Sequence, residues 1–182
     1  MPFRQSIKII AVLLLIMLLI QLLNTVTNGI ISQFGIIPRT TMGLIGIPLA
    51  PWIHHNWLHL ASNAIPLALL SFLALQNGFK QYSLVFAFIT LVAGSGVWLL
   101  GSAAHHAGAS LMIFGLWGYL LALAFFQRNV KNIFIAIVVF FIYGGLAFSL
   151  LSYQPNISWS SHFFGMLAGL LAAQLFKNNG VK

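Results

Sequence analysis

An all-α membrane protein, built as a bundle of six crossing helices with a membrane-associated first loop, is what this sequence predicts. Three observations lead there. Hydrophobic residues make up 60% of the 182 positions, charged residues only 4%, and mean hydropathy is +1.01. A chain of this length cannot hide so much apolar surface in a soluble core, so lipid must cover it. The apolar residues fall into six runs separated by polar or Gly/Pro-rich breaks, and the basic residues mark one end of those runs.

Taken in order, residues 1–8 form a short head with Arg4 and Lys8, and the first span is expected at about 7–27. The head and apolar run resemble a secretion signal, but no clear small-residue cleavage site follows, so a retained first span is expected. Residues 28–51 are broken by Gly29, Gly35, Pro38, Gly43, Gly46, Pro48 and Pro51 yet stay apolar between the breaks, which predicts a segment lying in the interface. Further spans are expected at about 57–76, 82–102, 110–126, 133–151 and 161–176. Lengths of 16 to 21 residues suit a hydrocarbon core of roughly 30 Å at about 1.5 Å per residue. No repeat or second domain is visible, and residues 1–182 read as one unit.

Six crossings place both termini on one side. Arg4, Lys8, Lys80, Arg128, Lys131, Lys177 and Lys182 fall on that side, and only Arg39 falls opposite. Cytoplasmic loops carry the excess of Lys and Arg, so both termini are expected in the cytoplasm, with Trp52, Trp57 and Trp159 near the outer interface. Basic residues scattered singly among apolar runs mark topology and offer no patch for nucleic acid.

The chain has no Cys, Asp or Glu. That excludes disulfides, thiol nucleophiles, carboxylate relays, carboxylate metal sites and a Ser-His-Asp triad. Any chemistry must use Ser, His, Asn and backbone groups. All six His (His54, His55, His59, His105, His106 and His162) lie in outer loops or in the first turns of spans that enter from outside. Ser110 opens the fourth span and His162 the sixth, so both sit at that depth, and Asn63 follows His59 by one helical turn on the same face. Unpaired polar groups are costly in hydrocarbon, so these faces are expected to turn toward one another. Gly165 and Gly169 form a small-xxx-small pattern that admits a neighbouring backbone, and the fourth span offers Gly108, Gly115 and Gly118. Phe114, one turn below Ser110, is placed either to lie under an imidazole or simply to fill the core. A metal held by imidazoles alone would lack any carboxylate partner, so no metal or cofactor is expected.

These residues resemble the rhomboid family of intramembrane serine proteases. The stretch HHNWLHLASN from His54 to Asn63 is similar to the family's HxxxxHxxxN, Gly108-Ala-Ser110 to its GxS start, and His162 with Gly165 and Gly169 to its last-helix His and GxxxG. The stretch from Gly35 to Arg39, with Gly43 and Gly46, looks like the first loop of many bacterial members. The resemblance implies a serine endopeptidase of the bacterial inner membrane that cleaves transmembrane segments of other proteins near the outer leaflet. Ser110 would be the nucleophile, His162 the base, and the Ser110 N–H, His59 and Asn63 the oxyanion donors. His54 would be structural, through a hydrogen bond to the first loop, and Phe114, Gly165 and Gly169 would support the site. His55, His105 and His106 carry no role beyond interfacial solvation. One departure is Leu111, where the family pattern has Gly. Its bulk bears on helix packing and substrate approach, and it leaves a non-proteolytic, helix-binding member as the alternative. A polar cavity is expected, covered by residues 152–160 and flanked by the second and fifth spans.

Overall fold

The computed structural model describes residues 1–151 and 158–177. It is a helical bundle: α1 Phe3–Val26, α2 Thr41–Leu49, α3 Trp57–Leu75, α4 Phe79–Leu100, α5 Ser110–Gln127, α6 Val130–Tyr143, α7 Leu146–Leu151 and α8 Trp159–Leu175. No strand occurs among the described residues. Four helices, α1, α3, α4 and α5, are long and apolar enough to cross a bilayer. With lipid-facing side chains such as Val12, Leu19, Phe141 and Leu171 exposed along the helices, the chain is an integral membrane protein.

Helix α5 is the axis of the bundle. Twelve of its 18 residues are buried, on every face, which is the signature of a helix enclosed by others. Its most extensive contact is with α8, and α3, α4 and α6 also pack against it. Two glycines make the α8 contact possible. A Cβ on Gly165 would lie 2.4 Å from the Leu111 carbonyl oxygen, and one on Gly169 would lie 1.9 Å from that of Gly115. Both distances are far inside van der Waals contact, so the two backbones touch where only hydrogen atoms intervene.

Helix α1 joins the rim through one narrow stripe, Ser6, Ile10, Leu13, Met17, Gln21 and Asn24, spaced three and four residues apart. Toward its end, the buried Asn24 donates from Nδ2 to the His54 carbonyl (3.1 Å) and accepts at Oδ1 from the Ser32 N–H (3.0 Å). The broken stretch after α1 is more structured than its Gly and Pro content suggests. It contains short 3₁₀ turns at Ile30–Phe34 and Ala50–Trp52 around α2. Thr40 caps α2 by accepting from the Gly43 N–H at 3.0 Å. Arg39, expected as the one basic residue opposite the termini, has a structural role. Arg39 donates through Nη1 to the carbonyls of Leu99 (3.2 Å) and Gly101 (3.0 Å), satisfying groups that the end of α4 leaves open.

The fifth expected span, 133–151, is not one continuous helix. It is two helices, α6 and α7, separated by Gly144 and Gly145. Adjacent glycines each cost about 1 kcal/mol of helix propensity, and here the chain turns instead, with i→i+3 bonds from Ala147 N–H to Gly144 and from Phe148 N–H to Gly145. Helix α7 then packs on α8. The last helix begins two residues before the expected start because the Ser158 hydroxyl caps it, accepting from the Ser161 N–H at 3.3 Å. Of the expected cover at 152–160, residues 152–157 lie outside the described residues.

Gly169→Ala should lower stability by about 1–3 kcal/mol, because the added methyl must displace backbone. Gly145→Ala, with nothing within 4 Å of its Cβ position, should change stability by no more than about 0.5 kcal/mol. Thermal unfolding of the two variants in detergent compares them directly.

Candidate functional site

The turn that delivers Ser110 is held by four hydrogen bonds from the first loop. Ile36 and His106 exchange both backbone bonds, at 2.8 and 2.9 Å, as an isolated antiparallel bridge. The Gly108 N–H donates to the Ala50 carbonyl at 2.9 Å, and the Ala109 N–H donates to His54 Nε2 at 3.2 Å. Gly108 has φ +119°, and a Cβ there would lie 2.7 Å from the His59 ring. Both the backbone angle and the imidazole packed against it require glycine.

Ser110 is therefore the first residue of α5, with the free N–H groups of a helix start around it and no side-chain cap. It lines a cavity of about 1060 Å³ together with His59, Asn63, Phe114, Ser149 and His162. His162 is buried, and its ring stacks on Phe114 with centroids 4.0 Å apart and planes 12° apart. The close approach at Gly165, one turn further along α8, sets this stacking, since its Cβ position also lies 3.2 Å from Phe114 Cβ. His162 Nδ1 lies 3.3 Å from Ser149 Oγ. Among the described residues, no hydrogen bond joins Ser110 Oγ to His162. Ser110 and His162 thus share one cavity without a hydrogen bond between them.

On α3, Asn56 caps the helix by accepting from the His59 N–H at 2.8 Å. Asn63 is buried, donating from Nδ2 to the His59 carbonyl (2.8 Å) and less closely to Ser62 Oγ (3.4 Å). The His59 ring lies edge-on to His54 and parallel to the exposed His55, at centroid distances of 5.0 and 5.8 Å. Among the described residues, no three imidazoles are grouped to hold a metal ion.

Two histidines differ from the sequence reading. His54 is fully buried, and its ring also accepts from the Ala109 N–H, immediately before Ser110 and beyond the first loop. Because Nε2 is the acceptor, the proton sits on Nδ1, which faces the Trp52 carbonyl outside hydrogen-bond geometry. Burial is the main reason its pKa falls from 6.5 to about 3, the neighbouring His59 adds to the shift, and the Trp52 carbonyl partly opposes it.

His106, expected at the solvated interface, is buried instead. Its Nε2 donates to the Ser102 carbonyl at 2.9 Å, so Nδ1 accepts from the Ser158 hydroxyl at 2.6 Å, and Ser161 Oγ lies 2.6 Å further on. Burial lowers its pKa as well. This residue fastens the turn before Ser110 to the start of the helix that carries His162. His105 is exposed, as expected. Leu111 is buried in the core and is not among the residues lining the cavity. The sequence reading missed Ser149, Ser158 and Asn24. Only Asn24 left a sequence signal, a polar residue three positions after Gln21 in an apolar run.

The fold and site define a polytopic helical membrane protein whose Ser, His and Asn side chains converge at a helix start. Residues 41–179 match the profile of the Rhomboid domain. An uncharacterized protein of Mycobacterium tuberculosis (strain ATCC 25618 / H37Rv) is 37% identical over 166 residues, which cover 86% of this chain and 69% of the relative. An uncharacterized protein of Mycobacterium leprae (strain TN) is 35% identical over 169 residues, covering 86% and 66%. The chain belongs to the rhomboid family.

The low pKa of His54 has a thermodynamic consequence. Between pH 6.5 and about 3 the unfolded chain takes up a proton that the folded chain refuses. Stability should therefore be flat above pH 6.5 and fall below it, by up to about 1.4 kcal/mol per pH unit from this group. Melting temperatures of wild type and His54→Gln between pH 4 and 8 should show a shallower acid limb in the variant.

Proposed function

We propose that this rhomboid-family chain is an intramembrane serine endopeptidase, with Ser110 as nucleophile and His162 as base, acting on transmembrane segments of other proteins. The observation that carries the reading is that Ser110, at the start of the most enclosed helix, and His162, stacked on Phe114, face one cavity. In this reading α6 and α7 together make the fifth of six crossings. Seven of the eight basic residues then lie on the side of the termini, which places both termini in the cytoplasm of a bacterial inner-membrane protein. The site opens toward the outer leaflet.

His162 Nε2 accepts the Ser110 proton as Oγ bonds to the substrate carbonyl carbon, and the imidazolium returns that proton to the leaving amine as the C–N bond breaks. Water then hydrolyses the acyl-enzyme, with the same base activating it. The developing oxyanion is met by the Ser110 N–H at the helix start, by the His59 ring and by the second Asn63 amide hydrogen, held loosely at 3.4 Å by Ser62. Catalytic hydrogen bonds tighten in the substrate complex, so the reading does not require a Ser110–His162 bond beforehand.

The lack of a Ser110–His162 hydrogen bond among the described residues favours a second reading, a rhomboid-family protein that binds membrane helices without cutting them. Leu111 no longer argues for it, because its side chain packs in the core and leaves the cavity free.

Cleavage of a panel of reporter transmembrane segments separates the two. Wild type should cut at least one reporter, Ser110→Ala and His162→Ala should fall to background, and Asn63→Ala should lose about 10²- to 10³-fold in kcat. A fluorophosphonate should label wild type and not Ser110→Ala. A Ser110→Ala variant that cuts as fast as wild type refutes the assignment, and a folded wild type that cuts nothing supports the binder.

A further inference from the structure

The geometry points to Ser149 as a positioning residue that fixes the tautomer of His162 and takes the place of the acid this chain lacks. This inference rests on the protease reading above. Ser149 Oγ lies 2.7 Å from the Leu146 carbonyl and 3.3 Å from His162 Nδ1. The Leu146 carbonyl can only accept and is much the nearer partner, so the single hydroxyl hydrogen points to it. The hydroxyl oxygen is left as an acceptor, and the bond to His162 forms only when Nδ1 carries the proton. Nε2 is then the unprotonated nitrogen, the one that must take the proton from Ser110.

An imidazole in a low-polarity cavity has two neutral tautomers, and only one of them is a base at Nε2. In a chain with no Asp or Glu, a neutral oxygen must make the choice. During the reaction the Nδ1 hydrogen stays where it is, held by Ser149. The proton gained at Nε2 from Ser110 is the one passed to the leaving amine, so protons balance without a third titrating group.

The surroundings keep Ser149 in place. Helix α7 exists as a separate segment because Gly144 and Gly145 break the fifth span, which lets it lean on α8. The indole of Trp159, at the start of α8, donates to the carbonyl of Leu150, adjacent to Ser149, at 2.7 Å. Phe114 covers one face of the imidazole. The ring is thus fixed in plane by Phe114 and in rotation by Ser149.

Ser149→Ala removes the acceptor and leaves both tautomers populated. Its kcat for reporter cleavage should fall about 10- to 100-fold, part of the contribution of a general base, with KM unchanged. Ser149→Thr keeps a hydroxyl that bonds the i−3 carbonyl and should return kcat to within about threefold of wild type. The imidazole ¹⁵N spectrum of His162 in detergent provides a readout independent of turnover. Wild type and Ser149→Thr should show a protonated Nδ1 and a free Nε2, and Ser149→Ala should show an average of the two forms. Equal kcat in Ser149→Ala, a change in KM alone, or a wild-type spectrum with the proton on Nε2 would overturn the assignment. A wild type that cuts no reporter but shows the expected spectrum would instead fail the protease reading and leave the role of Ser149 in orienting His162 standing.

Discussion

The contact on which the rest of the structure depends is the meeting of α5 and α8 at Gly165 and Gly169. In lipid no hydrophobic force draws two helices together, so association relies on close packing and polar contacts. Here the packing is backbone on backbone, with the Leu111 and Gly115 carbonyls filling the places where side chains would stand. That approach settles the depth and rotation of α8 relative to α5. His162, one turn before Gly165, can then reach only the face of α5 that presents Phe114 and Ser110. The small residues and the polar residues of these helices are two parts of one arrangement, since the first set the distance that the second must span.

Much of this was legible in the sequence. The helices at 57–75 and 110–127 lie within a residue of the apolar runs that predicted them, because hydropathy and termination signals agree there. The fifth span was misread since averaging over an apolar run hides a local break, and Gly144-Gly145 is a local break. The stretch 28–51 reads as too broken to span because of its Gly and Pro content, and what the sequence did not reveal is that Gly43 and Gly46 let α2 approach the backbone of Ile37 and Gly35. Phe114 beneath an imidazole was one of two readings, but the hydrogen-bond partners of His54, His106 and His162 were not legible. Ala109 is 55 positions from His54 and Ser158 is 52 from His106, and no periodicity along one helix encodes such pairings.

A chain without carboxylates has to organise its polar core with neutral groups. In a low-dielectric interior that is a consistent solution, because a neutral hydrogen bond avoids the desolvation cost of a buried ion. Each donor must then be matched to one acceptor, and the tautomer of every imidazole becomes part of the structure. Carbonyl oxygens settle that choice for His106, through Ser102, and for His162, through Leu146 acting by way of Ser149. His54 is settled from the other side, by a backbone N–H that only an unprotonated nitrogen can receive.

This logic gives the first loop a larger part than anchoring in the interface. Its residues Ile36, Ala50 and His54 make the four bonds that hold the turn before Ser110, while His106, in that turn, makes the link to α8. A single neutral hydrogen bond contributes only about 1 kcal/mol net, and at the membrane surface water competes for it. Four bonds on three of the four residues 106–109 act together, since the chain there cannot leave one without straining the next. The position of Ser110 is therefore determined at two points, by the loop above it and by the glycine contacts of α8 beneath it. A disturbance of either displaces Ser110 relative to His162 even when both side chains are untouched.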